Sequence, residues 1–411
     1  MHAAVGQEEI FLSASGSGTQ DGLSFANSGS ARDGGLQRAW DSIPPGGTVW
    51  LAVGEYQGLE LTCRSSSETD KGVRTLCGQV VGDKRPVIIG AFDPDRPESS
   101  ARTAITIAEG TSRVAVRDFS FRRFGTALHA RGGNEDITIQ GVRVAEAREC
   151  IRIEGRGKAA RGTQRVTVER CRFELFTKKG VRLCPGNMDV KIRQCLANAG
   201  GREWMKEKFH MGFFVDDDCD NITFSDCEAK RSHDEAGQGY WNADGYCVER
   251  AGHVRWERCR AFDCTDGGWD SKAAHNELID CVAARNKRNY RFWGEAFLTN
   301  CLSVFPTYPG GSGGALALWS RGAVRASHCT FVGDQLFETD EGGIIQVEQS
   351  LLVRTSKSDD QPDQSGVSKR SCSEQRMDVR GLADLFEKPE RATEDGSGFK
   401  PHNTQFGFLP P

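Results

Sequence analysis

The stretch VTVERCRF (166–173) returns in altered form as VKIRQCLA (190–197), ITFSDCEA (222–229), VRWERCRA (254–261), ELIDCVAA (277–284), FLTNCLSV (297–304) and VRASHCTF (324–331). Each copy has a cysteine at the same position, and Phe119, Val142 and Ser350 occupy that position in VRDFSF, IQGVRV and VEQSLL. Consecutive positions lie 20 to 32 residues apart. Short β-type runs that recur at this spacing predict a solenoid, in which every repeat contacts only its neighbours.

We interpret each repeat as one coil of a right-handed parallel β-helix, which is an all-β fold. The cysteine position then forms an inward column, where each side chain stacks on its equivalent in the next coil about 4.8 Å away. A buried free cysteine behaves as a small apolar residue, so this column needs no disulfides. Cys63 and Cys77 flank a polar loop and are the best candidates for a disulfide, although the sequence leaves two free thiols equally open.

The N-terminal segment, residues 1–48, combines a strand with a short amphipathic helix that ends at Pro44-Pro45-Gly46-Gly47. The apolar residues of this helix follow helical spacing and are Leu36, Ala39, Trp40 and Ile43. The exposed end of a parallel β-helix is a sheet edge that can pair with another chain. We therefore expect the helix to cap the first coil.

The coils are predicted to span residues 49–355, and residues 356–411 to form a loop and tail that pack on the solenoid. The polar tract at 356–375 is assigned to the loop. Two coils are longer because they carry the inserts GGREWMKEKFHMG (200–212) and SHDEAGQGYWN (232–242). Both inserts follow the cysteine strand, so they should project on one side, as binding inserts of solenoids do.

The composition excludes several classes of function. The formal net charge is −4 and the basic residues are scattered along the 411 residues, which argues against a nucleic-acid partner. No run of about 18 apolar residues is present, so no membrane span is predicted. The N-terminal MHAAVGQEEIFLS lacks the apolar core of a signal peptide, which fits a trimmed mature chain or a cytoplasmic protein.

Each coil holds a second strand, which appears as CIRIE (150–154), VRLC (181–184), FFVD (213–216), YCVE (246–249), WDSK (269–272), YRFW (290–293) and LALW (316–319). Because strand side chains alternate, every other residue should face outward. One outward column is predicted to contain Arg152, Arg182, Phe214, Cys247, Asp270, Arg291 and Ala317. The other is predicted to contain Glu154, Cys184, Asp216, Glu249, Lys272, Trp293 and Trp319.

These columns have the composition of a sugar-binding groove. Outward tryptophans suit stacking on sugar rings, and arginine forks suit bidentate contact with carboxylates. The predicted substrate-binding residues are Arg152, Arg182, Trp293, Trp319, and His233, Tyr240 and Trp241 of the second insert. The alternative is a solvated sheet whose arginine–carboxylate pairs contribute little.

Two Asp-Gly turns precede neighbouring second strands. NADGY (242–246) contains Asp244, and TDGGWD (265–270) contains Asp266 and Asp270 on the next coil. A single Asp-Gly pair is usually only a turn. Three carboxylates that converge would repel one another without a cation, and calcium prefers 6–8 oxygen ligands, so we predict a calcium site at these aspartates.

These motifs resemble the pectate-lyase-like β-helix proteins, most closely polysaccharide lyase family 9 and its relatives. That family has an N-D/A-D-G-F turn, then S-D-D-G-W-D, then N-x-F-K-L on successive coils, and this chain has NADGY, TDGGWD and NYRFW (289–293) in that order. The segment at 10–56 also resembles the N-terminal segment of the family, and the similarity covers roughly residues 8–335. The chain departs from the pattern at Gly267, where the family has a ligand aspartate, and at Arg291, where it has the catalytic lysine.

The resemblance implies a secreted or periplasmic polysaccharide lyase that acts on an acidic polysaccharide. It implies calcium at Asp244, Asp266 and Asp270, and a Brønsted base at Arg291. Arginine is a poor base because it is almost always protonated, so Lys272 is the second candidate, followed by His233 and His275. We expect a monomer that binds neither nucleic acid nor membrane.

Two other functions remain open at this stage. A β-helix glycoside hydrolase would use the aspartates as acid and base without a metal. A non-catalytic glycan-binding β-helix is favoured by Gly267 and by the missing lysine.

Overall fold

The structure is a computed structural model, which describes residues 8–64, 71–97, 102–156, 162–235, 239, 241–355, 365–377, 379–387, 399–402 and 405–410. It confirms the predicted parallel β-helix, because strands of successive repeats pair in parallel. The chain divides into two compact units, Met1–Leu196 and Ala197–Pro411. In each unit the described strands form three sheets, called here sheets 1, 2 and 3, and one strand, Leu196–Asn198, lies at the division.

The first unit contains one α-helix, Gly35–Ser42, among its described residues. Its sheet 1 comprises Gly29–Ser30, Glu9–Ser13, Thr48–Leu51, Arg74–Gly78, Ser112–Arg117, Glu135–Gln140, Gln164–Glu169 and Met188–Arg193. Its sheet 2 comprises Glu55–Gln57, Val87–Ile89, Ser120–Arg122, Arg143–Ala145 and Arg172–Glu174. Its sheet 3 comprises Leu61–Cys63, Thr103–Ile107, Thr126–Ala130, Glu149–Ile153 and Lys179–Leu183.

The second unit contains two 3₁₀ helices in its described part, Arg202–Trp204 and Val379–Asp384. Its sheet 1 comprises Asp220–Ser225, His253–Glu257, His275–Ile279, Glu295–Thr299, Ala323–Ser327, Ile344–Glu348 and Val367–Arg370. Its sheet 2 comprises Glu228–Lys230, Arg260–Phe262, Val282–Ala284, Leu302–Val304, Thr330–Gly333, Leu351–Arg354 and Ser373–Arg376. Its sheet 3 comprises Met211–Val215, Tyr246–Val248, Gly267–Ser271, Arg288–Phe292, Leu316–Ser320 and Phe337–Thr339.

The helix Gly35–Ser42 caps a sheet edge, as predicted. Its apolar face is buried through Leu36, Ala39 and Trp40. The side-chain amide of Gln37 both accepts from the backbone N–H of Thr62, at 2.9 Å, and donates to its carbonyl oxygen, at 3.0 Å. Thr62 belongs to the first strand of sheet 3, so the helix satisfies backbone groups that an open edge would present to another chain.

The repeated cysteines form the predicted inward column in each unit. They are almost fully buried, at 0–2% exposure: Cys171 and Cys195 in the first unit, and Cys227, Cys259, Cys281, Cys301 and Cys329 in the second. The residue before each of them has a left-handed φ between 51° and 54°, for example Asp280 and Asn300. This bend joins sheet 1 to sheet 2 and turns the small thiol inward.

The predicted disulfide between Cys63 and Cys77 is wrong. None of the fifteen cysteines, all of which the structure describes, forms a disulfide. Cys63 ends a strand of sheet 3, whereas Cys77 lies in a strand of sheet 1, and both side chains are buried. The polar loop between them joins strands of different sheets, so flanking that loop does not bring the thiols together.

The tract at 356–375 is not a loop over the part of it that the structure describes. Val367–Arg370 and Ser373–Arg376 are strands that pair in parallel with the preceding coil. VSKRSCSE (367–374) repeats the cysteine phrase in polar form, with Cys372 at the shared position. The strands are largely exposed, which explains why they lack the apolar alternation of the other coils.

The C-terminal segment packs on sheet 2 of the second unit. Phe386, Phe399 and Phe408 are fully buried there, against residues that include Leu302 and Val353. No helix in the described part of the chain is both long and apolar enough to cross a membrane.

A candidate active site on the third sheet

Sheet 3 of the second unit brings the sequence motifs into one column. Asp270 lies beside Cys247 on one side and Arg291 on the other, and Arg291 lies beside Trp319. The predicted neighbour of Arg291 was Ala317, so the alignment of this strand was wrong by two residues. A shift of two keeps the same side chains facing outward, because the strand period is two.

Three aspartates converge at this column. Asp244 lies in the turn before the strand Tyr246–Val248, Asp266 directly precedes the strand Gly267–Ser271, and Asp270 lies within it. One carboxylate oxygen from each lies within 4.8 Å of the others. Their exposures are only 0%, 1% and 5%, so the structure brings together the three side chains predicted to bind a metal and buries them.

Most oxygens of this acidic cluster already accept hydrogen bonds. The backbone N–H of Gly267 donates to Asp244 Oδ1 at 2.6 Å, and Arg288 Nη1 donates to Asp266 Oδ1 at 3.0 Å. Asp270 accepts from Trp293 Nε1 at 2.8 Å and from Arg291 Nη1 at 3.1 Å. Asp244 Oδ2 is buried and has no hydrogen-bond partner among the described residues.

The cluster disfavours full ionisation. Burial raises the pKa of Asp244 well above its usual range, and the charges of Asp266 and Asp270 raise it further. Burial also raises the pKa of Asp266, although Arg291 and Arg288 act in the opposite direction. Asp244 therefore keeps a proton at a higher pH than an exposed aspartate does.

Arg291 is enclosed by carboxylates and indoles. Its guanidinium lies 4.8 Å from the ring of Trp293 and 5.1 Å from the ring of Trp319. Trp319 is only 5% exposed, so its ring packs against the guanidinium of Arg291 and does not offer the predicted surface for stacking on a sugar. Trp293 is partly exposed, and the guanidinium of Arg321 lies 5.7 Å from its ring. Trp293 is therefore the more accessible of the two indoles.

The other predicted bases are less suitable. Lys272 Nζ donates to Glu249 Oε2 at 2.5 Å. Burial lowers the pKa of Lys272, but the hydrogen bond and charge of Glu249 outweigh this effect and raise it, so the ammonium stays protonated. His275 lies on sheet 1, where its Nδ1 is 3.0 Å from Glu295 Oε2, and it does not join the cluster on sheet 3. His233 Nε2 lies 3.4 Å from Glu235 Oε2 in the second insert.

Two basic residues of the site were not predicted from the sequence. Lys287 and Arg288 precede the strand residues Tyr290 and Arg291, and Lys287 is only 1% exposed. Lys287 Nζ donates to the carbonyl oxygens of Gly310 and Ser312, each at 2.7 Å. Burial lowers the pKa of Lys287, and the charges of Arg288 and Arg291 lower it further, although the charge of Asp266 raises it.

Close contacts hold the glycine-rich segment PGGSGG (309–314) against these residues. A Cβ atom at Gly313 would collide with the guanidinium of Arg288, and one at Gly310 would collide with the ring of Trp241. Trp241 was predicted to bind substrate, but the structure places its ring against this segment. Tyr240, from the same prediction, lies outside the described residues.

Arg152 and Arg182 belong to the first unit, where they are neighbours on sheet 3. Both lie near the buried carboxylate of Glu149, at 3.6 Å and 3.3 Å. Arg152 Nε also lies 3.5 Å from Glu154, whose other neighbour is His129 at 3.0 Å. Burial lowers the pKa of His129. These arginines are thus matched by carboxylates, although about a third of the Arg152 side chain is exposed, at 32%.

Comparisons with known proteins agree with this architecture. A family model described as a right-handed β-helix region matches residues 98–245, so the hand of the coil is as predicted. No curated protein matches the chain significantly. The A-module of the mannuronan C-5 epimerase AlgE6 from Azotobacter vinelandii aligns with a TM-score of 0.52 and 13% identity, over 83% of this chain and 92% of that one.

Two further solved structures extend the comparison. The DFA-IIIase of Arthrobacter chlorophenolicus A6, in a form without its lid, aligns with a TM-score of 0.54 and 11% identity, over 82% of this chain and 92% of that one. The pectate lyase Pel9A aligns over 98% of this chain and 90% of its own at 16% identity, but its TM-score of 0.42 is too low to carry an argument. At these identities the likeness establishes the right-handed parallel β-helix fold alone, and the assignment to polysaccharide lyase family 9 stays a prediction.

Proposed function

We propose that this chain is a carbohydrate-active enzyme that cleaves a uronate-containing polysaccharide by β-elimination at the acidic cluster of sheet 3. The observation that carries the proposal is the convergence of three buried carboxylates and two guanidinium groups beside a partly exposed indole. Trp293 supplies a face on which a sugar ring can stack, and the arginines supply charge for its carboxylate. We further propose that the chain is secreted or periplasmic, where such polymers are met.

The proposed reaction breaks the C4–O bond of a uronate and forms a C4=C5 double bond. A base removes the C5 proton, and the electron pair passes through an enolate of the C6 carboxylate; the C4 oxygen then leaves with the electron pair of the broken C4–O bond and takes up the proton that the base returns. Arg291 lies where it can stabilise that enolate electrostatically. Because Glu249 keeps Lys272 protonated, we assign proton removal to Arg291 in its neutral form, which becomes the enolate-stabilising guanidinium once it has taken the C5 proton. Substrate binding must first release Arg291 from Asp270, since that contact favours the charged guanidinium.

A second candidate function is glycoside hydrolysis by paired aspartates. It is supported by the raised pKa of Asp244, which suits a proton donor, and by carboxylate oxygens within 4.8 Å of one another. Retaining glycosidases hold their two carboxyl groups about 5–5.5 Å apart. Asp244 would then be the acid and Asp270 the nucleophile.

A panel of polyuronates and neutral glycans separates these functions. The protein is incubated with each polymer, and the ultraviolet absorbance of the unsaturated product is followed beside a reducing-end assay. We expect both signals to rise together on at least one polyuronate. Reducing ends without absorbance would replace the lyase by the hydrolase, and neither signal on any polymer would leave a glycan-binding protein.

A further inference from the structure

The six carboxylate oxygens of the acidic cluster are mostly committed to positive or N–H groups. Four of them accept the hydrogen bonds from Gly267, Arg288, Arg291 and Trp293 described above. The fifth, Asp266 Oδ2, lies 3.6 Å from Arg291 Nη1. Neither this oxygen nor Asp244 Oδ2 accepts a hydrogen bond from the described residues, and Asp244 Oδ2 has no ion pair either. A calcium ion requires 6–8 oxygens, so the arrangement does not fit the calcium site that the sequence predicts.

We infer that Arg288 and Arg291 provide the positive charge that a divalent cation would otherwise bring, and that the acidic cluster binds no calcium. Their guanidinium nitrogens lie 3.0 Å from a carboxylate oxygen of Asp266 and 3.1 Å from one of Asp270. A cation bound by these oxygens would sit close to two like charges, which repel it strongly at a site this buried.

Gly267 stands where the family that the chain resembles has a fourth carboxylate, and a side chain at this position would be tightly confined. An added Cβ atom at this position would lie 2.9 Å from Asp244 Oδ1 and 3.0 Å from the carbonyl oxygen of Trp269. The space is used instead by the backbone N–H of Gly267, which donates to Asp244. At this point of the cluster the chain therefore has a hydrogen-bond donor, where the family that it resembles has a carboxylate ligand.

Arg288 is held in place from both sides. Its side chain is 12% exposed, and it lies between Asp266 and the glycine-rich segment at 309–314. A Cβ atom at Gly313 would collide with Arg288 Nη2, so a larger residue there would displace the guanidinium. The segment therefore keeps Arg288 on Asp266 and opposes its displacement by an ion.

For the catalytic consequence the inference rests on the proposed function. A lyase with this cluster neutralises the substrate carboxylate with arginine, so a chelator should leave its rate unchanged within about twofold. Arg288 is then a positioning residue, since it fixes the carboxylate of Asp266 next to Arg291.

Terbium(III) and calcium titrations test the inference directly. Terbium emission is followed on excitation of tryptophan, because the indole of Trp293 lies on the cluster, and calcium is followed by isothermal titration calorimetry. The unmodified protein should show no saturable site below about 1 mM, the weak end of the range for protein calcium sites. Arg288→Ser frees Asp266 Oδ1 and should create a calcium site whose Kd is at least tenfold below that limit. Arg285→Ser, which breaks an exposed pair with Asp263 at 2.7 Å, is the matched control and should create none.

Stoichiometric calcium binding by the unmodified protein that is lost in Asp244→Asn would overturn the inference. So would the absence of any gain in Arg288→Ser, provided that its melting temperature shows a folded protein. These readouts do not involve catalysis, so a protein inactive on every polyuronate would refute the proposed function and leave the inference about the metal standing.

Discussion

Arg291→Ala is expected to lower kcat/KM for elimination by at least about 100-fold, while the protein keeps its fold. Arg291 contacts Asp270, Asp266 and the faces of two tryptophans at once. Removing one charge-stabilising donor from an enclosed site typically costs about 10²–10³ in rate. The measurement is the initial rate of absorbance increase at subsaturating substrate, with the circular dichroism spectrum and melting temperature as checks of folding.

Arg255→Ala is the matched control for this variant. Arg255 also lies on a strand and pairs with a carboxylate, Glu277, at 2.5 Å, but on sheet 1. It should keep the rate within about twofold, because ion pairs that solvent can reach contribute little. If Arg291→Ala retained more than a tenth of the rate, proton removal and enolate stabilisation would have to be assigned to other residues.

Trp269→Ala should lower the free energy of unfolding by about 3–5 kcal/mol, more than any of the other variants named above. Trp269 is fully buried in an aromatic stack inside the coils, 4.8 Å from the ring of Tyr246 and 5.1 Å from that of Tyr290. Alanine would leave a cavity between two rigid rings on paired strands, which cannot collapse easily. Urea unfolding followed by circular dichroism measures the change, with the slope of the transition as a check on the unfolded state.

Trp204→Ala separates cavity formation from the mere loss of an indole. Trp204 is partly exposed in the 3₁₀ helix of the first insert, so its removal should cost no more than about 1 kcal/mol. Equal losses for the two variants would contradict the packing described here. Because Trp269 shares its strand with Asp270, its variant should also lose activity.

The fold was predictable because one local device repeats. The residue before each column cysteine adopts a left-handed φ, and the thiol that follows is small enough to be buried at the bend. This device needs only a few neighbouring residues, so its recurrence is visible in the sequence. The prediction failed where the coil is exposed and polar, as in VSKRSCSE (367–374), because the residues there are not buried and need not be apolar.

The aspartates of the site were predictable for the same reason, since neighbouring coils bring equivalent turns together. The partners of these aspartates were not. A long connection that contains PGGSGG (309–314) precedes the strand of Trp319. Its length obscures the register of that strand, so the sequence alignment paired Arg291 with a residue two positions before Trp319. The roles of Lys287 and Trp241 depend on where this connection folds back, which no local pattern records.

The most direct test of the proposed site is a crystal structure with a saturated uronate oligosaccharide too short to be cleaved. We expect the sugar ring against the exposed face of Trp293, with its carboxylate within hydrogen-bond distance of Arg291. An oligosaccharide bound on another sheet, with Trp293 and Arg291 unchanged, would contradict the assignment.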